Sequence, residues 1–162
     1  MRSLERKIVY LGLATAVAMV LSYLELLLPP VFAAVPGVKM GLPNIVILYI
    51  LYCFGTKYAV AVSIIRVLAV SMLFGNVMTL IYSLAGATLS LIVMCILIRP
   101  DFFSPVGVSV AGGVFHNLGQ ILMAMLLLET AAIGYYMIVL AVTGTIAGIF
   151  VGLCGSFLIQ RM

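Results

Sequence analysis

The sequence contains few charged residues and no tryptophan: four acidic and eight basic side chains make up only 7% of its 162 residues. Apolar residues supply 66% of the chain, and the mean hydropathy is +1.39. Soluble domains carry about 25% charged residues. This composition therefore excludes an ordinary soluble domain and indicates a polytopic integral membrane protein.

The scarcity of reactive side chains excludes further classes of protein. One histidine, three cysteines and four separated acids provide neither metal-ligand spacing nor paired carboxylates. The chain has no Walker A, D-D-x-x-D or G-x-S-x-G sequence. We therefore expect no enzymatic activity, no cofactor and no metal site. The basic residues stand singly near segment ends, which argues against a nucleic-acid partner.

Long apolar runs account for most of the chain, and turn-forming residues separate them. They predict an all-α fold, a six-helix transmembrane bundle that forms one domain over residues 1–162. The expected helices cover about 8–28, 42–54, 58–74, 77–98, 105–128 and 131–159.

Basic residues predict the orientation in a cytoplasmic membrane, because Lys and Arg in short loops stay on the inner side. With both termini inside, the outer connections carry only Lys39. The inner ends then carry Arg2, Arg6, Lys7, Lys57, Arg99 and Arg161.

Residues 34–44 form the one dense cluster of turn formers and polar groups. Irregular backbone is tolerated in a membrane protein only at the interface or beside a protein-lined cavity. Under the predicted orientation this cluster faces outward. We expect it to form the mouth of a ligand site, with Lys39 and Asn44 as rim contacts.

Polar residues inside the predicted helices indicate where a ligand binds, because an ionisable group in hydrocarbon costs about 2.5–3.5 kcal/mol. Arg66 lies in the middle of the third helix. It either pairs with Glu25 of the first helix, contacts an anionic ligand, or does both.

The fifth helix carries a group of three polar residues that share one face by their helical spacing: His116, Asn117 and Gln120. They either line a ligand site or are satisfied core groups, and we favour the ligand site. Asn76, Tyr82 and Ser83 add polar groups to the outer half. With the inner half nearly bare of them, we expect an outward-facing pocket that is sealed beneath, not a channel.

Small residues every fourth position predict close helix packing. On the sixth helix, Gly144, Gly148 and Gly152 are expected to pack inside the bundle. On the first helix, Ala14 and Ala18 pack either inside the bundle or against another subunit.

Three segments carry a resemblance to a known family: residues 37–46 (GVKMGLPNIV), 82–87 (YSLAGA) and 113–120 (GVFHNLGQ). The chain resembles the Gx transporter family, long labelled heptaprenyl diphosphate synthase component I. Pro43 departs from that family's pattern, which usually has a small residue there.

The resemblance implies a six-helix protein of a bacterial cytoplasmic membrane, similar to the vitamin-binding S-components of ECF transporters. It implies that Ala14 and Ala18 dock onto a coupling subunit that works with ATPases. It also implies a flavin (FMN, FAD or riboflavin) as the leading ligand. Two functions stay open: transport of such a vitamin-type molecule, or a non-catalytic membrane subunit that assists a heptaprenyl (polyprenyl) diphosphate synthase.

Overall fold

The structure, a computed structural model, describes residues 2–27, 41–99 and 102–161. Within these ranges the chain forms six α-helices, one 3₁₀-helix over Ala131–Tyr136 and no strand. The α-helices are α1 (Arg2–Leu27), α2 (Asn44–Cys53), α3 (Thr56–Phe74), α4 (Val77–Leu97), α5 (Pro105–Leu127) and α6 (Met137–Ile159). Five helical segments are long and apolar enough to cross a membrane. The predicted all-α, six-helix membrane fold is confirmed.

Local chemistry defines where several helices begin. The Asn76 side chain accepts a hydrogen bond from the Thr79 amide at 2.8 Å and so caps α4. Ser104 caps α5 in the same way, ahead of Pro105 in the first turn. Such side chains satisfy amide groups that have no partner inside the helix.

The short helix α2 lies in the interior of the bundle. It has 10 residues, so it is about 15 Å long, half of the roughly 30 Å of hydrocarbon. Its residues Leu48 and Ile50 are fully buried, and it packs against α1, α3 and α6. Because α2 ends where α3 begins, its first turn lies near the middle of the bundle.

The described part of the irregular segment before α2, residues 41–43, provides carbonyl acceptors for the first amides of that helix. The Asn44 amide donates to the Gly41 carbonyl at 2.8 Å, and the Ile45 amide donates to the Leu42 carbonyl at 3.1 Å. Gly41 has φ +71°, a left-handed conformation that glycine adopts without a Cβ clash. These bonds allow non-helical backbone beside a protein-lined cavity.

Glycines bring α4, α5 and α6 into close contact. A Cβ at Gly148 of α6 would lie 2.6 Å from the Cα of Val110 on α5. A Cβ at Gly119 of α5 would lie 2.7 Å from the carbonyl oxygen of Ala85 on α4. There is no room for a side chain at these contacts. The prediction that Gly144, Gly148 and Gly152 of the sixth helix pack inside the bundle is therefore confirmed.

The small residues of α1 also face the bundle. Ala18 is fully buried, and Ala14 packs against the same core cluster. The helices next to α1 are α2 and α3. Ala14 and Ala18 therefore pack against helices of their own chain in the structure. Docking of a coupling subunit through these residues stays a prediction.

Candidate functional site

A cavity of about 160 Å³ lies among the six helices. It reaches from Gly75 and Thr79, at the connection of α3 and α4, to Met94 on α4 and Ser109 on α5. Thr79 and Met94 are separated by about 22 Å along the helix axis at 1.5 Å per residue. The cavity therefore extends through most of the bundle.

Arg66 of α3 is the charged group buried in the wall of this cavity. It is only 9% exposed, and one of its terminal nitrogens donates to the Ser22 hydroxyl at 3.3 Å. Its Nε has no hydrogen-bond partner among the described residues. A buried donor left without an acceptor costs about 1–3 kcal/mol. An acceptor group entering the cavity would recover part of that cost.

Glu25 of α1 lies at the same wall. Its Oε1 accepts a hydrogen bond from the backbone amide of Gly41, and its charge attracts Arg66. The carboxylate thus connects α1, the segment before α2 and the buried cation. This arrangement fits both functions considered for Arg66, an interaction with Glu25 and a contact with a ligand.

The His116 and Gln120 side chains reach the cavity from α5, next to the backbone of α4. A Cβ at Gly86 would lie 2.8 Å from the His116 carbonyl oxygen and 2.9 Å from Cγ of Gln120. The absence of a side chain at Gly86 therefore lets α4 approach α5 at the level of these two residues. Both line the cavity and are half-buried.

Asn117 lines the cavity and also connects two helices. Its side-chain nitrogen donates to the carbonyl of Leu140 on α6 at 2.7 Å. The Thr143 hydroxyl donates to the same carbonyl at 3.2 Å. Asn117 therefore has a structural bond in addition to its place at the cavity.

Most of the sequence-predicted binding residues that the structure describes lie at this one cavity: Asn44, Arg66, Ser83, His116, Asn117 and Gln120. Asn76 is exposed and caps α4, and Tyr82 is half-buried; neither lines the cavity. Lys39 lies outside the described residues. A ligand contact by any of these side chains stays a prediction.

Several buried serines of the cavity wall were not anticipated: Ser22, Ser71, Ser90 and Ser109. The sequence spacing of two of these serines could have identified them as residues of the cavity wall. Ser90 lies seven residues after Ser83, and Ser109 lies seven residues before His116, which places each pair on one helix face. The expectation that the inner half is nearly bare of polar groups is therefore wrong at Ser90 and Ser109.

Met94 forms the floor of the cavity. Ser90 Oγ lies 3.6 Å from the Met94 sulfur, and a Cβ at Gly112 would lie 2.6 Å from that sulfur. Met94 is 5% exposed and belongs to the main core cluster. The flexible thioether fills the gap between α4 and α5, so the polar lining ends there.

The lining of the cavity combines groups that can form hydrogen bonds and one cation. One guanidinium, one imidazole, amides and hydroxyls surround the cavity, and they hydrogen-bond to polar or anionic molecules. Among residues 2–27, 41–99 and 102–161, no three His, Cys, Asp or Glu side chains are grouped as metal ligands.

The chain matches the model of a known protein family. No curated protein and no solved structure matches the chain. The family model described as heptaprenyl diphosphate synthase component I matches residues 14–158, from the first half of α1 nearly to the end of α6. With the membrane-type helices and the polar cavity already described, this match places the chain in the heptaprenyl diphosphate synthase component I family.

Proposed function

We propose that this protein is an integral membrane substrate-binding protein for transport. It captures a vitamin-type small molecule, with a flavin as the leading candidate, and moves it across the cytoplasmic membrane. The observation that carries the proposal is Arg66, nine-tenths buried at the cavity and with a free Nε among the described residues. A buried guanidinium whose donors are only partly satisfied is costly, and within a membrane an ionisable group usually serves function.

The lining of the cavity offers partners for both parts of a flavin nucleotide, the phosphate and the flavin ring. A phosphate or another anion pairs with a guanidinium, which presents several donors in a planar arrangement. The ring carbonyls and imide of a flavin need donors and acceptors, which His116, Asn117 and Gln120 supply. In this proposal Lys39 contacts the ligand at the rim. Asn44, expected from the sequence to be a rim residue, contacts it deeper in the bundle, because it begins the short helix α2.

The size of the cavity implies a movement. At about 160 Å³, it is smaller than the roughly 300 Å³ at the lower end of ligand pockets. A flavin therefore requires helices to separate. The glycine contacts hold α4, α5 and α6 together, so we propose that α1, α2 and α3 move against them as the ligand enters. Rocking of one half of a bundle against the other is a common transport movement.

In this proposal both termini lie inside and the cavity opens outward. A coupling subunit with ATPases drives the cycle, and docking through Ala14 and Ala18 requires α1 to shift away from α2 and α3.

Ligand binding tests the proposal. Purified protein is titrated into FMN and riboflavin while flavin fluorescence is recorded, with excitation in the visible, where protein side chains do not absorb. We expect Arg66→Gln to weaken FMN binding at least about tenfold, the equivalent of 1.4 kcal/mol, and riboflavin binding less. His116→Ala should weaken both. Arg161→Gln, an exposed basic residue at the end of the chain, is the matched control and should change neither.

A second candidate function is favoured by the description of the family itself. The protein would be a non-catalytic membrane subunit associated with a polyprenyl diphosphate synthase. Stable co-purification of such a synthase, together with no retained or added vitamin-sized ligand, would establish this function and reject transport.

A further inference from the structure

A second cavity, of about 400 Å³, lies between α3 and α4 and adjoins the polar cavity at Val67, which lines both. Its wall is mainly apolar, with Val60, Ile64, Leu91, Ile92 and Ile96 among its residues. The cavity exists because α3 and α4 pack loosely against each other. Helix α4 packs far more closely on α5 than on α3. The result is a groove along the outside of the bundle.

The α3 side of this groove has the length of one membrane leaflet, while its α4 side is longer, about 22 Å from Leu84 to Arg99. On α3 it extends from Thr56 to Val67, about 16 Å at 1.5 Å per residue. Half of a hydrocarbon core of roughly 30 Å is about 15 Å. An acyl chain lying in the groove would therefore run from the membrane surface to the midplane.

The charged side chain of the groove lies at one end, whereas two hydroxyl residues, Ser63 and Thr88, stand among the apolar residues along its length. Arg99, just after α4, and Thr56, in the first turn of α3, both line the groove at that end, and both are exposed. No acidic side chain of the described residues lines the groove. A single exposed cation at the membrane surface, above an apolar slot, is complementary to a lipid with an anionic headgroup.

The shape of the groove favours a lipid chain over a helix. Helices associate in membranes through small residues that let backbones approach. Here the exposed lining residues include Ile64, Ile92 and Ile96, which are 44%, 51% and 59% exposed. These branched side chains keep a neighbouring backbone at a distance, whereas a thin acyl chain fits between them.

We propose that the α3–α4 groove binds an anionic phospholipid, with an acyl chain between the helices and the headgroup phosphate on Arg99 and Thr56. Under the positive-inside orientation this lipid belongs to the inner leaflet. Among the described residues the groove shares only Val67 with the polar cavity, and its occupancy does not depend on transport of any ligand.

The experiment uses full-length protein released from bilayers that contain equal amounts of phosphatidylglycerol and phosphatidylcholine, and native mass spectrometry counts the retained lipids. We expect one phosphatidylglycerol in preference to phosphatidylcholine. Arg99→Gln should reduce that preference about tenfold, as for loss of one charge-assisted hydrogen bond. Arg161→Gln is the control, because it removes an exposed cation near the end of α6 that does not line the groove.

A second pair of variants tests the apolar part. Thr88→Phe fills the groove from an exposed position of α4, and Ile146→Phe adds the same ring on an exposed position of α6 outside it. Only Thr88→Phe should lower retention of the lipid, with thermal unfolding showing that both variants are folded. Equal retention of the two lipids, equal effects of the paired variants, or a polyprenyl phosphate found in place of the phospholipid would each overturn the proposal.

Discussion

The guanidinium of Arg66 on α3 donates to the hydroxyl of Ser22 on α1 across 3.3 Å. Ser22 in turn donates its own proton to the Ala18 carbonyl at 2.8 Å. Because a hydroxyl has one proton, this second bond leaves the Ser22 oxygen free to accept from Arg66. The buried cation is therefore held by α1 through a serine whose orientation is set by its own helix.

The first prediction separates stability from function at Arg66. Replacing a whole buried ion pair by apolar side chains is often neutral or stabilising, whereas removing one partner is costly when the other stays buried. Here the group left behind, Glu25, is only half-buried and keeps its bond from the Gly41 amide. We expect Arg66→Met to leave the thermal unfolding temperature of the ligand-free protein unchanged or raised, while ligand binding is lost. Thermal unfolding and flavin titration on the same preparation measure both. A large loss of stability would show that Arg66 serves mainly to hold the bundle.

The second prediction concerns the coupling between Ser22 and Arg66. Ser22→Ala removes the acceptor of the buried guanidinium and should lower the free energy of unfolding by about 1–3 kcal/mol. In an Arg66→Met background the same change should cost much less, because no donor is left unpaired. A double-mutant cycle in detergent measures the difference. Additive effects would show that the two groups do not interact.

The third prediction tests the close contact of α5 and α6. Gly148→Ala places a methyl group 2.6 Å from the Cα of Val110, and such overpacking costs about 1–3 kcal/mol. Gly12→Ala on α1 is the control, because nothing lies within 4 Å of its added Cβ. That change should stabilise α1 by up to about 1 kcal/mol. Similar unfolding curves for the two variants would contradict the packing.

The fourth prediction distinguishes two neighbouring amides on α5. Asn117→Ala removes the bond to the Leu140 carbonyl, and interhelical bonds in membranes are worth about 0.6 kcal/mol on average. We expect it to lower stability as well as ligand affinity. Gln120→Ala should lower affinity and leave stability nearly unchanged. A loss of stability in Gln120→Ala but not in Asn117→Ala would show that Gln120, and not Asn117, holds the helices together.

The fifth prediction concerns Asn76, whose side chain caps α4. Asn76→Ala should cost about 1 kcal/mol of stability, with no change in ligand affinity at a temperature where the protein stays folded. Asn76→Asp keeps the capping oxygen and serves as the control. Loss of affinity in the Ala variant without loss of stability would place Asn76 in contact with the ligand.

Much of the fold was predictable because the membrane restricts what a chain can form. An apolar run in hydrocarbon must satisfy its backbone internally, so length and hydropathy are enough to predict helices. The same constraint predicted that the turn-rich segment lies either in the interface or beside a protein-lined cavity, and its described end, at Gly41, Pro43 and Asn44, lines the cavity. The number of helices and the inward packing of Gly144, Gly148 and Gly152 followed from the same kind of pattern.

The candidate site was only partly predictable. Helical spacing placed His116, Asn117 and Gln120 on one face, and burial cost singled out Arg66. Spacing alone does not say which helix faces which, so it did not exclude Asn76 or Tyr82. It also did not identify Ser22, whose partner is 44 residues away in sequence.

The sequence by itself determined the class of protein, its helical elements and the existence of costly buried polar groups, because each depends on the solvent that the chain must live in. Only the tertiary structure decided which of those groups share one cavity, how deep that cavity is, and that Ala18 faces the chain's own helices. Those features depend on contacts between residues far apart in sequence. At such contacts a single glycine, such as Gly86 or Gly148, decides how closely two helices can pack.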